Sequence, residues 1–78
     1  MIRASQLRAA RALLGWKQSD LAKAAGIGIA TVARIEQGDG IAGGHVSTIV
    51  SLQEALERRG IRFTEQEDGT FGVVLKSK

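Results

Sequence analysis

A chain of 78 residues is expected to fold as a single domain that buries only about 60% of the surface exposed by its unfolded form. It contains no cysteine and one histidine, which excludes a disulfide framework and leaves no ligand set for a metal ion. No apolar run is long enough to cross a membrane and no secretory segment is found, so we expect a cytoplasmic protein.

The charge of the chain is distributed unevenly. The net charge is +3, but residues 1–38 hold six Lys and Arg against two Asp and Glu (+4), whereas residues 39–78 hold five against six (−1). A basic part of this kind is typical of nucleic-acid binders. Lys and Arg that only keep helix faces hydrated would produce the same charge. The distribution of charge alone therefore does not decide between nucleic-acid binding and ordinary hydration of helix faces.

The first predicted element is an amphipathic helix. Ser5 is a suitable N-cap, an apolar stripe follows at helical spacing, and Gly15 suits the position just past the last turn. The helix should therefore end at about Leu14. Trp16, the only tryptophan, is interpreted as an anchor at the edge of the core, with an indole N–H that faces a phosphate as the alternative.

Residues 18–37 have the spacing of a helix-turn-helix unit. Two short helices meet at Gly26, whose missing Cβ permits the left-handed backbone that a sharp turn needs. Ala22 must be small because the second helix crosses the first helix there. The apolar wedge between the two helices is formed by Leu21, Ile27, Val32 and Ile35.

The second helix of such a unit enters the major groove of DNA with its N-terminal residues first. In this chain it should begin near Gly28 and end at Gly38, with Val32 and Ile35 pointing inward and Glu36 on its flank. The side chains able to face DNA are Ile29, Ala30, Thr31, Ala33, Arg34 and Gln37.

A glycine-rich loop over residues 39–44 leads into a fourth predicted helix. The loop is interpreted as a flexible connector, with a phosphate cradle as the alternative, and it matches no nucleotide-binding fingerprint. The helix should run from about Val46 to Arg59, with Val46 and Val50 among its apolar residues. His45 at its start is interpreted as a surface or cap residue, and a contact to a DNA phosphate is the alternative.

The last segment changes to a strand pattern. Two runs rich in β-formers, residues 61–64 and 71–75, flank Asp68-Gly69, which is a strong signal for a two-residue hairpin turn. A turn of that length pairs Phe63 with Val74 and leaves apolar side chains on both faces, so the hairpin needs two partners. One would be the helical core and the other a second copy of the chain. We therefore predict a homodimer whose interface includes Phe63, Phe71, Val73 and Leu75.

Most of the chain carries the motifs of one known family. They are Leu7-Arg8-Ala9-Ala10-Arg11, Gly15-Trp16-Lys17-Gln18, Leu21-Ala22, Ala25-Gly26-Ile27, Thr31-Val32-Ala33-Arg34-Ile35-Glu36, Gly38 and Ala55-Leu56-Glu57. On these motifs, residues 6–60 resemble the lambda-repressor-like, Xre/Cro-type helix-turn-helix family. The expected fold is mostly α, with a four-helix DNA-binding domain over residues 1–60 and a C-terminal β-hairpin extension over residues 61–78.

The resemblance also implies roles for single residues. It assigns Gln18 to a phosphate and sometimes a base, Ile29 and Ala30 to base edges, Thr31 to a phosphate or a base, and Arg34 to a deeper base-reading position. With the exposed positions found above, we expect base contacts from Ile29, Ala30, Thr31, Arg34 and Gln37. With the basic residues found above, we expect contacts to the DNA backbone from Arg8, Arg11, Lys17, Gln18, Lys23 and His45.

Two departures from the family pattern concern the start of the recognition helix. Gly28 stands where the family prefers Ser or Thr as the N-cap, a change that costs only a few tenths of a kcal/mol. Ile29 and Ala30 cannot hydrogen-bond to a base and are suited only to apolar contact with thymine methyl groups. The loop over residues 39–44 also lacks the basic residues that many relatives use on the DNA backbone. The apolar tip and this loop together make binding as a dimer more necessary.

These features predict a sequence-specific DNA-binding transcriptional regulator, of the repressor or controller type, that binds double-stranded DNA as a homodimer on a near-palindromic operator. The alternative is a protein-interaction module with a second protein partner, such as the antitoxin of a toxin–antitoxin pair or an antagonist of another regulator. An enzyme is not expected, because one His, no Cys and no Tyr leave no nucleophile–base pair to assemble. No catalytic residue, cofactor or metal is predicted.

Overall fold

Four helices are followed by a two-stranded antiparallel hairpin in a computed structural model that describes residues 2–38, 40 and 42–76. The elements are α1 (Ala4–Leu14), α2 (Gln18–Ala25), α3 (Ile29–Gln37), α4 (Val46–Glu57), β1 (Ile61–Glu65) and β2 (Phe71–Leu75). The expected mostly helical fold with a C-terminal hairpin is thus confirmed. Of the predicted glycine-rich loop, Asp39 and Ile41 lie outside the described residues.

The first two helices end in the same way, at a glycine in the left-handed conformation. Gly15 has φ 68° and Gly26 has φ 70°. The N–H of each glycine and the N–H of the next residue, Trp16 or Ile27, donate to carbonyls of the last helical turn. This geometry turns Trp16 and Ile27 back onto the core, where both are half-buried. The predicted role of Trp16 as an anchor agrees with this position.

The start of α1 differs from the prediction. The helix begins at Ala4 with Arg3 at the N-cap, so Ser5 is not the cap. Gln6 takes over part of the capping, since its side-chain oxygen accepts a hydrogen bond from the Arg3 N–H at 2.7 Å. The Gln6 amide nitrogen then donates to carbonyls on both strands of the hairpin. The buried Gln6 therefore joins the first helix to the last element of the chain.

The hydrophobic core lies between the helices and one face of the hairpin. Its largest fully buried side chains are Leu7, Leu21, Val32, Ile49, Leu52, Leu56 and Ile61.

Helix α4 ends at Glu57, two residues before the predicted end. Two of its apolar residues do not reach the core: Val46 is 66% exposed and Val50 is 43% exposed. They lie one turn apart on a side of α4 that the core does not cover.

The register of the hairpin differs from the prediction by one residue. Phe63 pairs with Val73 instead of Val74, and Glu65 pairs with Phe71. A two-residue type I′ turn would need φ > 0 at both Asp68 and Gly69. Among the described residues only glycines have positive φ, and Gly69 is one of them at 90°. The loop is therefore three residues long, residues 67–69, with the glycine in its third position.

This shift changes which side chains share a face. Since cross-strand partners point to the same side, Ile61, Phe63, Phe71, Val73 and Leu75 all lie on the face that packs against the helices. The opposite face carries Arg62, Thr64, Gly72 and Val74. The predicted hairpin with two apolar faces is wrong, and the need for a second apolar partner that followed from it no longer holds.

The hydrogen bonds of the turn stabilise this longer loop. The Gly69 N–H donates to the Gln66 carbonyl at 3.0 Å, and the Gln66 N–H donates to the Thr70 carbonyl at 2.7 Å. Hydrogen bonds from the side chain and backbone of Thr70 lower the pKa of the exposed Asp68 carboxyl below its ordinary value. The ionised Asp68 carboxylate, which lies in the loop, thus accepts these hydrogen bonds from Thr70.

Replacing Gly60 with alanine is expected to destabilise the fold by at least about 1 kcal/mol. Gly60 links α4 to β1 with φ 98°, and a Cβ there would lie 2.9 Å from the Lys76 carbonyl oxygen. The measurement is chemical denaturation followed by circular dichroism. The matched control is Gly43→Ala, whose Cβ meets no atom of the described residues within 4 Å, so this variant should leave the midpoint nearly unchanged. Equal midpoints for both variants would contradict this account of Gly60.

Candidate nucleic-acid interface

Helix α3 presents one face to solvent and holds the other inside the protein. Ile29 at its N-terminus is 53% exposed, and Ala30, Arg34 and Gln37 are also exposed. Thr31 is half-buried. The opposite stripe consists of three buried side chains, Val32, Ile35 and Glu36. All five predicted base-contact residues therefore lie on the outer part of a single helix that the core holds in place.

A groove lies on each side of this helix. The first groove is lined on the α1 and α2 side by Arg8, Arg11 and Gln18, and on the α3 side by Ala30, Ala33, Arg34, Glu36 and Gln37. The second groove is lined by Thr31, Arg34, Ile35, Gly44, His45 and Thr48. Arg34 borders both grooves, so its guanidinium lies on the ridge between them.

The buried Glu36 carboxylate organises the first groove. Its side chain is 2% exposed and accepts hydrogen bonds from Arg11 Nε at 2.8 and 3.0 Å and from Arg11 Nη2 at 2.8 Å. Gln18 Nε2 donates to the same carboxylate at 3.2 Å. The remaining Arg11 nitrogen, Nη1, donates to the Trp16 carbonyl at 3.0 Å. A buried charge is tolerated only when it is paired and hydrogen-bonded in this way.

Arg8 closes the other end of α3. Its Nη1 donates to the Glu36 carbonyl and, at 3.1 Å, to the Gly38 carbonyl. Gly38 has φ −77° and ψ 171°, so this helix lacks the left-handed glycine cap that ends α1 and α2. The arginine thus bonds the Glu36 carbonyl, one of the last four of the helix that have no partner within it.

These contacts change the interpretation of two predicted phosphate ligands. Each nitrogen of the Arg11 guanidinium donates to a group within the protein, so Arg11 joins α1 to α3 and to the segment that links α1 to α2. Arg8 remains exposed and has further donors beyond those used at the end of α3. Gln18 opens α2 as predicted and lines the groove, but its amide is directed to Glu36.

The remaining predicted backbone contacts occupy three separate places. Lys17 is the exposed N-cap residue of α2, and its N–H donates to the Asp20 carboxylate at 2.8 Å. His45 is the exposed N-cap of α4 and lines the second groove. Lys23 lies in the last turn of α2, at the end opposite Gln18, and lines neither groove. The structure thus brings together Gln18, Arg8 and Arg11 on one side of α3 and places His45 on the other, while Lys17 lies next to Gln18 in the chain without lining either groove.

The role of Glu36 was missed by the analysis of the sequence, which placed this residue on the flank of α3. A usable signal exists, since Glu36 follows Val32 by four residues and Ile35 by one, on the stripe that faces the core. A carboxylate on a buried stripe requires a cation, and the first helix carries two arginines.

The charge at the first groove is positive. Three guanidinium groups, those of Arg8, Arg11 and Arg34, line it together with a single carboxylate, that of Glu36. Such a surface attracts an anionic ligand and repels acidic surfaces.

Among the described residues, no His, Cys, Asp and Glu side chains gather in a group of three that could hold a metal ion. No helix within the described part of the chain has the length and apolar character of a membrane span.

Comparison with known proteins gives one match. A family model described as helix-turn-helix matches residues 7–60, a range that contains α2, α3, α4 and most of α1 and ends where the hairpin begins. No curated protein and no solved structure matches the chain.

Proposed function

This chain belongs to the Xre/lambda-repressor-like helix-turn-helix family, and we propose that it is a sequence-specific transcriptional regulator, of the repressor or controller type, that binds a near-palindromic operator as a homodimer. The family is one of DNA-binding regulators and not of enzymes. The observation that carries the proposal is the presentation of α3, whose outer face is exposed while Glu36 and two apolar residues hold its inner face. A regulator of this kind acts in the cytoplasm.

Base recognition is assigned to the outer face of α3. Arg34 lies on the ridge of this face and has the planar pair of donors that matches guanine O6 and N7. Gln37 can donate and accept, and Thr31 carries a hydroxyl. Ile29 and Ala30 offer only apolar surface at the tip of the helix, so thymine methyl groups are their expected partners.

Phosphate binding is assigned to the residues that flank α3. Arg8 is exposed and lines the first groove, Lys17 is exposed next to Gln18 of that groove, and His45 is exposed at the second groove. Their separation by the width of α3 suits a helix lying in the major groove with a DNA backbone on each side. Arg11 and Gln18 contribute mainly by keeping α3 in position, through the hydrogen bonds that both donate to Glu36.

Dimeric binding follows from the small size of one recognition surface. One α3 reads a few base pairs with only three polar side chains, which supplies limited specificity. Two copies with their recognition helices about 34 Å apart would read an inverted repeat in successive major grooves.

The test is selection of binding sites from a pool of random duplexes at about 0.15 M salt. We expect enrichment of an inverted repeat whose half-sites are centred about 10 base pairs apart. We also expect the affinity for the selected duplex to fall steeply as salt is raised, because phosphate contacts release counterions. A folded protein that enriches no sequence would contradict the proposal.

The alternative of a protein-interaction module keeps one supporting observation. Ile29 is 53% exposed at the tip of α3, where its apolar side chain cannot hydrogen-bond to a base. The hairpin no longer supports this alternative, because its apolar side chains lie on one face only. A second protein that copurifies with the chain at fixed stoichiometry, together with failed site selection, would favour an antitoxin or antagonist over a regulator.

A further inference from the structure

Within residues 2–38, 40 and 42–76 no third strand pairs with the two-stranded sheet, so both of its edges are open there, and the hydrogen-bond pattern shows which backbone groups lie on them. The Gln66 N–H donates to the Thr70 carbonyl, and the Lys76 N–H donates to the Gly60 carbonyl. In an antiparallel ladder such pairs recur at every second residue. In β2, residues 72 and 74 therefore bond to β1, while the N–H and C=O groups of Phe71, Val73 and Leu75 point away from it.

The two edges differ in their protection against further pairing. Natural sheets shield a free edge with charged residues, proline or a bulge. Strand β1 carries Arg62 and Glu65, but β2 is Phe-Gly-Val-Val-Leu and has neither a charge nor a proline. Its side chains are also open to solvent, since Phe71 is 40% exposed and Leu75 is 38% exposed.

We propose that the edge of β2 pairs with β2 of a second copy of this chain, antiparallel and around a twofold axis at Val73. In this register Val73 faces the partner's Val73, and Phe71 faces the partner's Leu75. Every outward N–H and C=O of residues 71, 73 and 75 then has a partner, because the strand is complementary to itself. The two hairpins form one four-stranded sheet. This inference rests on the homodimer of the proposed function and replaces its predicted face-to-face contact with an edge-to-edge one.

The position of the hairpin in the fold agrees with this arrangement. Strand β2 packs against α1 and β1 packs against α4, whereas α3 packs against α1 and α2. The hairpin and the recognition helix thus have different neighbours apart from α1, so pairing at β2 leaves the outer face of α3 free. The protein measures 33 × 30 × 19 Å. Two protomers joined at an edge can therefore separate their recognition helices by the roughly 34 Å of one DNA turn.

The small contact also predicts how the dimer behaves. A pair of five-residue strands buries less than the roughly 800 Å² per partner of a standard stable interface. The free dimer should therefore dissociate on dilution, and an operator with two half-sites should hold the two protomers together. The fraction of operator that is bound should therefore depend on protein concentration, because each operator must collect two protomers.

The first test uses proline, which removes one N–H. Val73→Pro deletes an outward N–H without removing a hydrogen bond to β1, and it places two rings against each other at the axis. It also replaces a side chain that packs against the core, so the fold of this variant must be checked. We expect the dissociation constant of the dimer, measured by analytical ultracentrifugation, to rise by at least about tenfold. The matched control is Glu65→Pro, which removes an outward N–H from the edge of β1 and should leave dimerisation unchanged. Circular dichroism checks that both variants fold.

The second test needs no variant. Residue-resolved hydrogen exchange of the native protein should show protected amides at Phe71, Val73 and Leu75 at millimolar concentration, with the protection lost on dilution. Rapid exchange of these amides in a protein that is dimeric by mass would overturn the proposal and direct attention to the exposed Val46 and Val50 of α4. A protein that stays monomeric at millimolar concentration would overturn it as well. A dimer formed elsewhere would still select an inverted repeat, so failure of this contact and failure of the regulator are distinguishable.

Discussion

Glu36→Gln is expected to destabilise the protein by about 3 kcal/mol, at the lower end of the range for breaking a buried ion pair. The substitution keeps the size of the side chain but removes the negative charge that faces the Arg11 guanidinium at 2.8 Å. The lower end applies because the Arg11 side chain is 20% exposed, so water partly compensates the unpaired cation. Small domains have a total stability of about 5 kcal/mol or more, so the loss would be a large fraction of it. Denaturant unfolding followed by circular dichroism measures the change.

A double-mutant cycle separates the charge pair from simple loss of packing. Arg11→Met alone leaves the buried Glu36 carboxylate without its main partner and should also be strongly destabilising. The double variant with Glu36→Gln leaves no unpaired charge, so it should be less destabilised than the sum of the two single variants. The control is Glu54→Gln on the exposed side of α4, which should change stability by less than about 0.5 kcal/mol. Additive single effects would show that Arg11 and Glu36 do not act as a pair.

Arg34→Ala is expected to weaken binding to the selected operator by about 1–3 kcal/mol per half-site and to relax the base preference at one position of each half-site. The guanidinium is exposed on the ridge between the two grooves, so its loss should leave the fold intact. The measurement is fluorescence anisotropy with the selected duplex and with duplexes that carry each base at the affected position.

Two comparison variants distinguish base recognition from a general loss of charge. Lys17→Ala should weaken binding to all duplexes to a similar degree and lower the salt dependence, as expected for a phosphate contact. Arg62→Ala removes the same side chain from β1, away from α3, and should leave DNA binding unchanged. If Arg34→Ala preserves both affinity and base preference, the assignment of α3 as the recognition helix is wrong.

The helices and their turns could be predicted because their signals are local. Gly15 and Gly26 each follow a short apolar stripe, and both adopt the left-handed conformation that such a position favours. The wedge residues Leu21, Val32 and Ile35 are buried at the spacing the sequence suggested. The exposed face of α3 followed from the same periodicity, since residues three and four apart share one side of a helix. Helical spacing alone was therefore enough to predict both the buried wedge and the exposed face of α3.

The hairpin register required information that its sequence does not contain. Asp68-Gly69 is compatible with a two-residue turn and with the last two positions of a three-residue loop. The chain adopts the longer loop, and the shift of one residue moves every β2 side chain to the other face. Only in this register do Phe63 and Val73 both reach the helical core, while Gln6 bonds to carbonyls of both strands. The register adopted is thus the one in which the hairpin packs against α1 and α4.

The partners of the arginines were also decided by the tertiary structure. Composition and periodicity place basic residues on the first helix and a helix-turn-helix unit after it, and these are properties of short segments. Whether Arg11 meets a phosphate or a carboxylate depends on which helices cross, and α3 brings Glu36 to within 2.8 Å of it across 25 residues of chain. Local sequence chemistry therefore locates the helix-turn-helix unit, whereas long-range packing determines which side chains hold α3 in place and which remain exposed.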